Sequence, residues 1–87
     1  MIKIQITQDD IDKGKKMDPS NCPLALAIKR QLNPVSVKVS PWCAVITNTE
    51  IEGAKRYGIV DNGFVKRFDR GYEIRPTTVE LIGMNKD

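Results

Sequence analysis

The sequence predicts an α+β fold: one mainly antiparallel sheet of four to five strands, with one main helix and two short helices on one face. Three observations carry this expectation. Apolar and polar residues alternate with period two over residues 2–7 and 35–39, the pattern of half-buried strands. A run rich in helix formers starts at Pro23 and ends at Leu32, just before Asn33-Pro34. The order along the chain reads β, short α, α, β, β, β, short α, β. With 87 residues there is room for a single domain, 1–87, which buries about 60–65% of its unfolded surface.

Each element has a local cause. Residues 2–7 (IKIQIT) form the first strand, and Thr7-Gln-Asp-Asp10 has the spacing of a capping box. Ile6 and Ile11 then occupy the two positions of a hydrophobic staple, and Asp9 and Asp10 suit the positive end of the helix dipole. Gly14 stops this short helix. Pro23 suits the first turn of the main helix, where its missing N–H costs nothing. Leu24, Ala25, Ile28 and Leu32 share one face, Lys29 and Arg30 lie on the other, and Leu26 points away from the core, toward a second element or an interface.

Ser40-Pro41 breaks the chain before residues 42–47 (WCAVIT), read as a more fully buried strand. Asn48-Thr49 turns the chain, and part of 50–60, marked by Ile51, Tyr57, Ile59 and Val60, forms the next strand. Glu52-Gly53 and Tyr57-Gly58 mark bulges or turns. Asp61 or Asn62 caps a helix over 63–70 whose inner face is Phe64, Val65 and Phe68. Its outer face is Lys66, Arg67 and Arg70. Gly71 ends it, residues 72–83 form a long last strand with an edge or bulge at Pro76, and 84–87 is a frayed tail.

Composition excludes several kinds of chemistry. The chain has no histidine and only two cysteines, so neither a histidine-based triad nor a four-ligand Cys/His zinc site is available to one chain. It has no Gly-rich phosphate loop. The expectation is a non-enzymatic protein without a cofactor. No run of eighteen apolar residues occurs and the start does not read as a signal peptide, so the expected location is a reducing cytoplasm with Cys22 and Cys43 as free thiols. Cys22, at the start of the main helix, is expected to have a lowered pKa if it is reactive, and otherwise to be a small buried residue.

The net charge is +3, and residues 55–75 hold all of it, with six bases against three acids. This stretch could face an anion or an acidic protein surface. Candidate binding residues within it are Arg56, Lys66, Arg67, Arg70 and Arg75. Trp42, Tyr57 and Tyr72 could stack on a base. Ser20 and Asn21 add donors to the amides at the start of the main helix, a second possible anion site.

Three segments, T-Q-D-D-I-D-K-G over 7–14, C-P-L-A-L-A over 22–27 and F-V-K-R-F-D-R-G over 64–71, the last followed by I-R-P over 74–76, resemble a group of small uncharacterised proteins encoded by bacteriophages and some bacteria. The resemblance implies an accessory protein acting in the cytoplasm of a bacterial host. It would inhibit host machinery or an antiviral-defence component, or sequester a small anionic, cyclic nucleotide signal. A nucleic-acid-binding module is the third alternative, and a homodimer using Leu26 is a possible assembly.

Overall fold

In a computed structural model, residues 2–48, 53–60 and 63–83 are described. The elements are β1 (Ile2–Ile6), α1 (Gln8–Lys13), α2 (Pro23–Leu32), β2 (Ser36–Val39), β3 (Cys43–Thr47), β4 (Ala54–Ile59), α3 (Gly63–Asp69) and β5 (Thr77–Gly83). The five strands form one antiparallel sheet in the order β1-β5-β4-β3-β2, which is the expected α+β class. Thr49 of the expected turn, Ile51, Glu52, the caps Asp61 and Asn62, and the 84–87 tail lie outside the described residues.

β1 and β2 are opposite edges of the sheet, yet α2 packs on both. The sheet therefore curls around this helix, which explains why α2 is buried over so much of its circumference. Pro23, Leu24, Ala25, Ala27 and Ile28 are all buried in it, with the sheet on one side and α1 on another. Ile4, Ile6, Val37, Ala44, Ile46, Val79 and Leu81 from the strands and Phe64 and Val65 from α3 belong to the same core cluster. Ala27 was not expected in the core; a helix wrapped by a curled sheet needs a wider apolar stripe than one lying on a flat sheet.

Local chemistry sets the element ends. The Thr7 hydroxyl accepts the Asp10 N–H at 3.3 Å, and the Asp10 carboxylate accepts the Thr7 N–H at 2.9 Å, so the capping box is complete. Gly14 does end α1, but in extended backbone (φ −67°, ψ 146°). Its requirement is space: a Cβ there would lie 2.6 Å from the Pro23 ring. Asn33 ends α2 in the left-handed region (φ 48°) and returns its N–H to Lys29. After α3, the Gly71 N–H reaches the Phe68 carbonyl and the Tyr72 N–H reaches Arg67, with Gly71 at φ 84°, a Schellman ending.

Four sequence readings are corrected. β3 is not buried on both faces: Ala44 and Ile46 face the core, while Cys43, Val45 and Thr47 are half-buried on the other side. Trp42 lies outside the strand, in the two-residue turn Pro41-Trp42 closed by the Ser40–Cys43 pair. Gly58 makes neither bulge nor turn, because it sits in register between Cys43 and Ile82. The last strand begins at Thr77 rather than at 72, so Pro76 precedes it. Proline lacks the N–H for the ladder that β5 forms with β1 from Thr77 onward.

The edges of the sheet are closed by side chains and loops. On β1 the Gln31 amide accepts from the Gln5 N–H and donates to the Lys3 carbonyl, and Arg30 donates to the Gln5 carbonyl at 2.8 Å. On β2 the Val39 N–H is held by the Pro19 carbonyl at 2.8 Å. Such contacts block strand-to-strand association at otherwise open backbone.

Candidate functional site

The residues between α1 and α2 fold around Asp18. Its carboxylate accepts the Ser20 and Asn21 backbone N–H groups and the Asn21 side-chain amide, at 3.0–3.2 Å. The Asn21 amide and then the Ser20 N–H hold the Asp18 carboxyl below its usual range. The Ser20 and Asn21 backbone N–H groups and the Asn21 amide are therefore directed at a carboxylate of the chain itself, which competes with any anion at the start of α2. The Cys22 sulfur caps the helix by accepting the Ala25 N–H at 3.5 Å. Burial pushes the Cys22 thiol up rather than down, outweighing the N–H groups of Ala25 and Leu24 that favour the thiolate. Cys22 is a buried structural thiol, and both cysteines are free.

The same loop presents Met17. Its N–H is bound by the Asp69 carboxylate at the end of α3, 2.9 Å away, and its backbone is left-handed (φ 57°) with the side chain 80% exposed. A non-glycine residue in this region costs about 1–3 kcal/mol, which surrounding contacts must offset. Beside it lies a cavity of about 310 Å³ lined by Met17, Pro19, Cys22, Val39, Pro41 and Val65, with Asp18 and Asp69 contributing carboxylates. Next to Pro41, Trp42 is 59% exposed and has the Lys66 ammonium 5.2 Å from its ring centroid. α3 thus reaches both residues: Asp69 binds the Met17 backbone N–H and Lys66 lies over the Trp42 ring.

A second concave region runs between α1, α3 and residues 72–76. It comprises a cleft of about 570 Å³ with Lys16, Tyr72 and Arg75 in its walls, and an adjoining one of about 270 Å³ with Arg67 and Arg75. Tyr72 is 60% exposed.

The 55–75 stretch is one segment in sequence but not one surface. Arg56 stands opposite Val45 on the outer side of the sheet, whereas α3 packs on the inner side through Phe64, Val65 and Phe68. The cations of α3 divide again, with Lys66 at Trp42 and Arg67 in the cleft beside Arg75. Arg70 is exposed in the turn after α3 and lines neither concavity. Tyr57 is half-buried and packs against the core, so it does not offer a stacking face. Leu26 is half-buried and forms no exposed apolar patch.

Sequence reasoning missed Lys16, Met17 and Asp69. A left-handed methionine has no sequence signature, and its partner is 52 residues away. No helix of the described residues is long and apolar enough to cross a membrane. No protein-family model, no curated protein and no solved structure matches the chain.

Proposed function

We propose that this chain is a non-enzymatic binding protein of the phage accessory type, which docks on a protein component of a bacterial host and inhibits it. The observation that carries the reading is the presentation of Met17 and Trp42 beside an apolar cavity, each contacted from α3. Trp and Met are enriched at protein interfaces, and a central aromatic beside a desolvated pocket is the usual form of an interface hot spot. Exposing a methionine at the cost of backbone strain contributes nothing to the core, so its rationale lies in a contact outside the chain. The resemblance to phage-encoded proteins supports a bacterial host as the setting. A nucleic-acid interface has less support, because the basic residues of 55–75 lie on different sides of the sheet.

The test is affinity capture from bacterial lysate with the wild-type chain and with Trp42→Ala, followed by an activity assay of the captured component. The expected result is a partner held and inhibited by the wild type and lost by the variant, with unchanged melting of the variant. A partner retained equally by both, or none recovered across several hosts, refutes the reading.

A further inference from the structure

The cleft between α1, α3 and residues 72–76 shares no lining residue with the cavity beside Met17 and has a different chemistry. Its charged lining is Lys16, Glu73 and Arg75, two cations against one carboxylate, and Arg67 joins Arg75 and Glu73 in the adjoining cleft. Among the described residues neither Lys16 nor Arg75 has a carboxylate partner. What sets these two apart is their place: both line the same concavity, with Glu73 as its one carboxylate.

The backbone holds them in place. Gly71 is left-handed, and a Cβ there would lie 3.0 Å from the Lys16 Nζ, so this ammonium lies over a glycine that leaves it room. The Schellman ending of α3 fixes Tyr72 through its N–H to Arg67, which sets an exposed aromatic ring in the same wall as the cations. Ile11, Phe68 and Ile74 add apolar lining. Cations for a phosphate, an aromatic face for a base and a cleft of about 570 Å³, within the size range of small-molecule sites, are the parts that recognise a nucleotide.

We propose that this cleft binds a nucleoside phosphate, its phosphate between Lys16 and Arg75 and its base against Tyr72. Glu73 is placed to accept a hydrogen bond from the sugar hydroxyls or the base amine. This site is independent of the protein-docking reading, and either can fail alone.

The experiment is isothermal titration of the full chain with inorganic phosphate, adenosine, AMP, a cyclic dinucleotide and a ten-residue oligonucleotide, at low and moderate salt. The expected result is saturable binding of AMP or the cyclic dinucleotide, at least roughly tenfold tighter than of phosphate or adenosine alone. Lys16→Ala and Arg75→Ala should each weaken it about tenfold, since each removes a charge-assisted contact. Tyr72→Ala should abolish the advantage of nucleotide over phosphate. All three sites are exposed, so melting temperatures should stay within a few degrees of wild type. Trp42→Ala should leave nucleotide affinity unchanged, which separates this site from the docking surface. Absence of saturable binding for every phosphate-bearing probe overturns the proposal, as does affinity indifferent to Lys16 and Arg75. An oligonucleotide binding tightest, with a steep salt dependence, would assign the charge to a nucleic-acid surface and also overturn it.

Discussion

The contact between Asp10 and Arg30 joins three elements, and its removal should be felt by the whole domain. Asp10 closes the cap of α1, its side chain is only 7% exposed, and its Oδ2 lies 2.9 Å from an Arg30 nitrogen that also donates to the Gln5 carbonyl on β1. Asp10→Ala removes half of a capping box, worth about 1 kcal/mol. It also removes a charge-assisted hydrogen bond, worth about 1.5–3 kcal/mol when dry and nearer 1–2 kcal/mol here, because the Arg30 side chain is 47% exposed to screening water. The total is about 2–3 kcal/mol, or a fall in Tm of roughly 10–20 °C for a domain of this size. A double-mutant cycle with Arg30→Ala, read by urea denaturation and far-UV circular dichroism, isolates the pair. The expected coupling is about 1–1.5 kcal/mol.

The sign of the pH dependence follows from the same site. Burial by itself would raise the Asp10 carboxyl, but Arg30 and Thr7 together hold it below its ordinary value of 3.8. The unfolded chain therefore takes up the proton first as pH falls. The stabilisation is complete above the unfolded pKa near 3.8 and is lost as pH drops through the lower folded value. The cycle should give the full coupling at pH 7 and almost none once Asp10 is protonated in the folded state. A coupling below about 0.3 kcal/mol at pH 7, the level of ordinary additivity error, would refute the reasoning.

Other perturbations test other parts of the fold. Gly14→Ala should destabilise by about 1–3 kcal/mol in urea, because its Cβ meets the Pro23 ring at 2.6 Å; a neutral effect would show that α2 can shift away. Phe64→Ala, at 1% exposure, should cost about 3–5 kcal/mol and leave little folded protein at elevated temperature in a thermal melt. Gln31→Ala uncovers the Lys3 carbonyl and the Gln5 N–H on an edge strand, and should raise self-association in light scattering; a strictly monodisperse variant would deny Gln31 its protective role. In the native protein a small thiol reagent should modify half-buried Cys43 first and reach Cys22 only on unfolding; equal rates would contradict the burial of Cys22.

Much of this architecture was legible because its causes are local. The alternation of β1, the reciprocal cap of Thr7 and Asp10, Pro23 at the start of α2, Asn33 at its end and Gly71 after α3 are short-range devices, and each does in the structure what its spacing implies. The three inward positions of α3, Phe64, Val65 and Phe68, followed from helical period alone. Boundaries failed where tertiary pairing decides them. Residues 72–76 have strand-like composition, but β5 pairs with β1 only from Thr77 and with β4 only from Leu81.

The candidate site was less legible. Tyr72, Arg67 and Arg75 were singled out by residue type, and Trp42 and Lys66 likewise, but nothing in the sequence divides them into a cationic cleft and an apolar docking surface. Ser20 and Asn21 misled for the converse reason. Their donors are real, yet Asp18 two and three residues earlier takes them, a competition that a count of donors does not reveal.

By itself the sequence determined the α+β class, both ends of α1 and α2, the end of α3 and the lack of histidine, since these depend on residue identity and on spacings of a few positions. The tertiary structure alone decided that the sheet curls around α2, that the +3 excess is split between opposite sides of the sheet, and that Lys16 joins Arg75 in one cleft. Those facts arise from contacts between residues far apart in the chain, where the strand order and the curl of the sheet, not the local pattern, set which side chains meet.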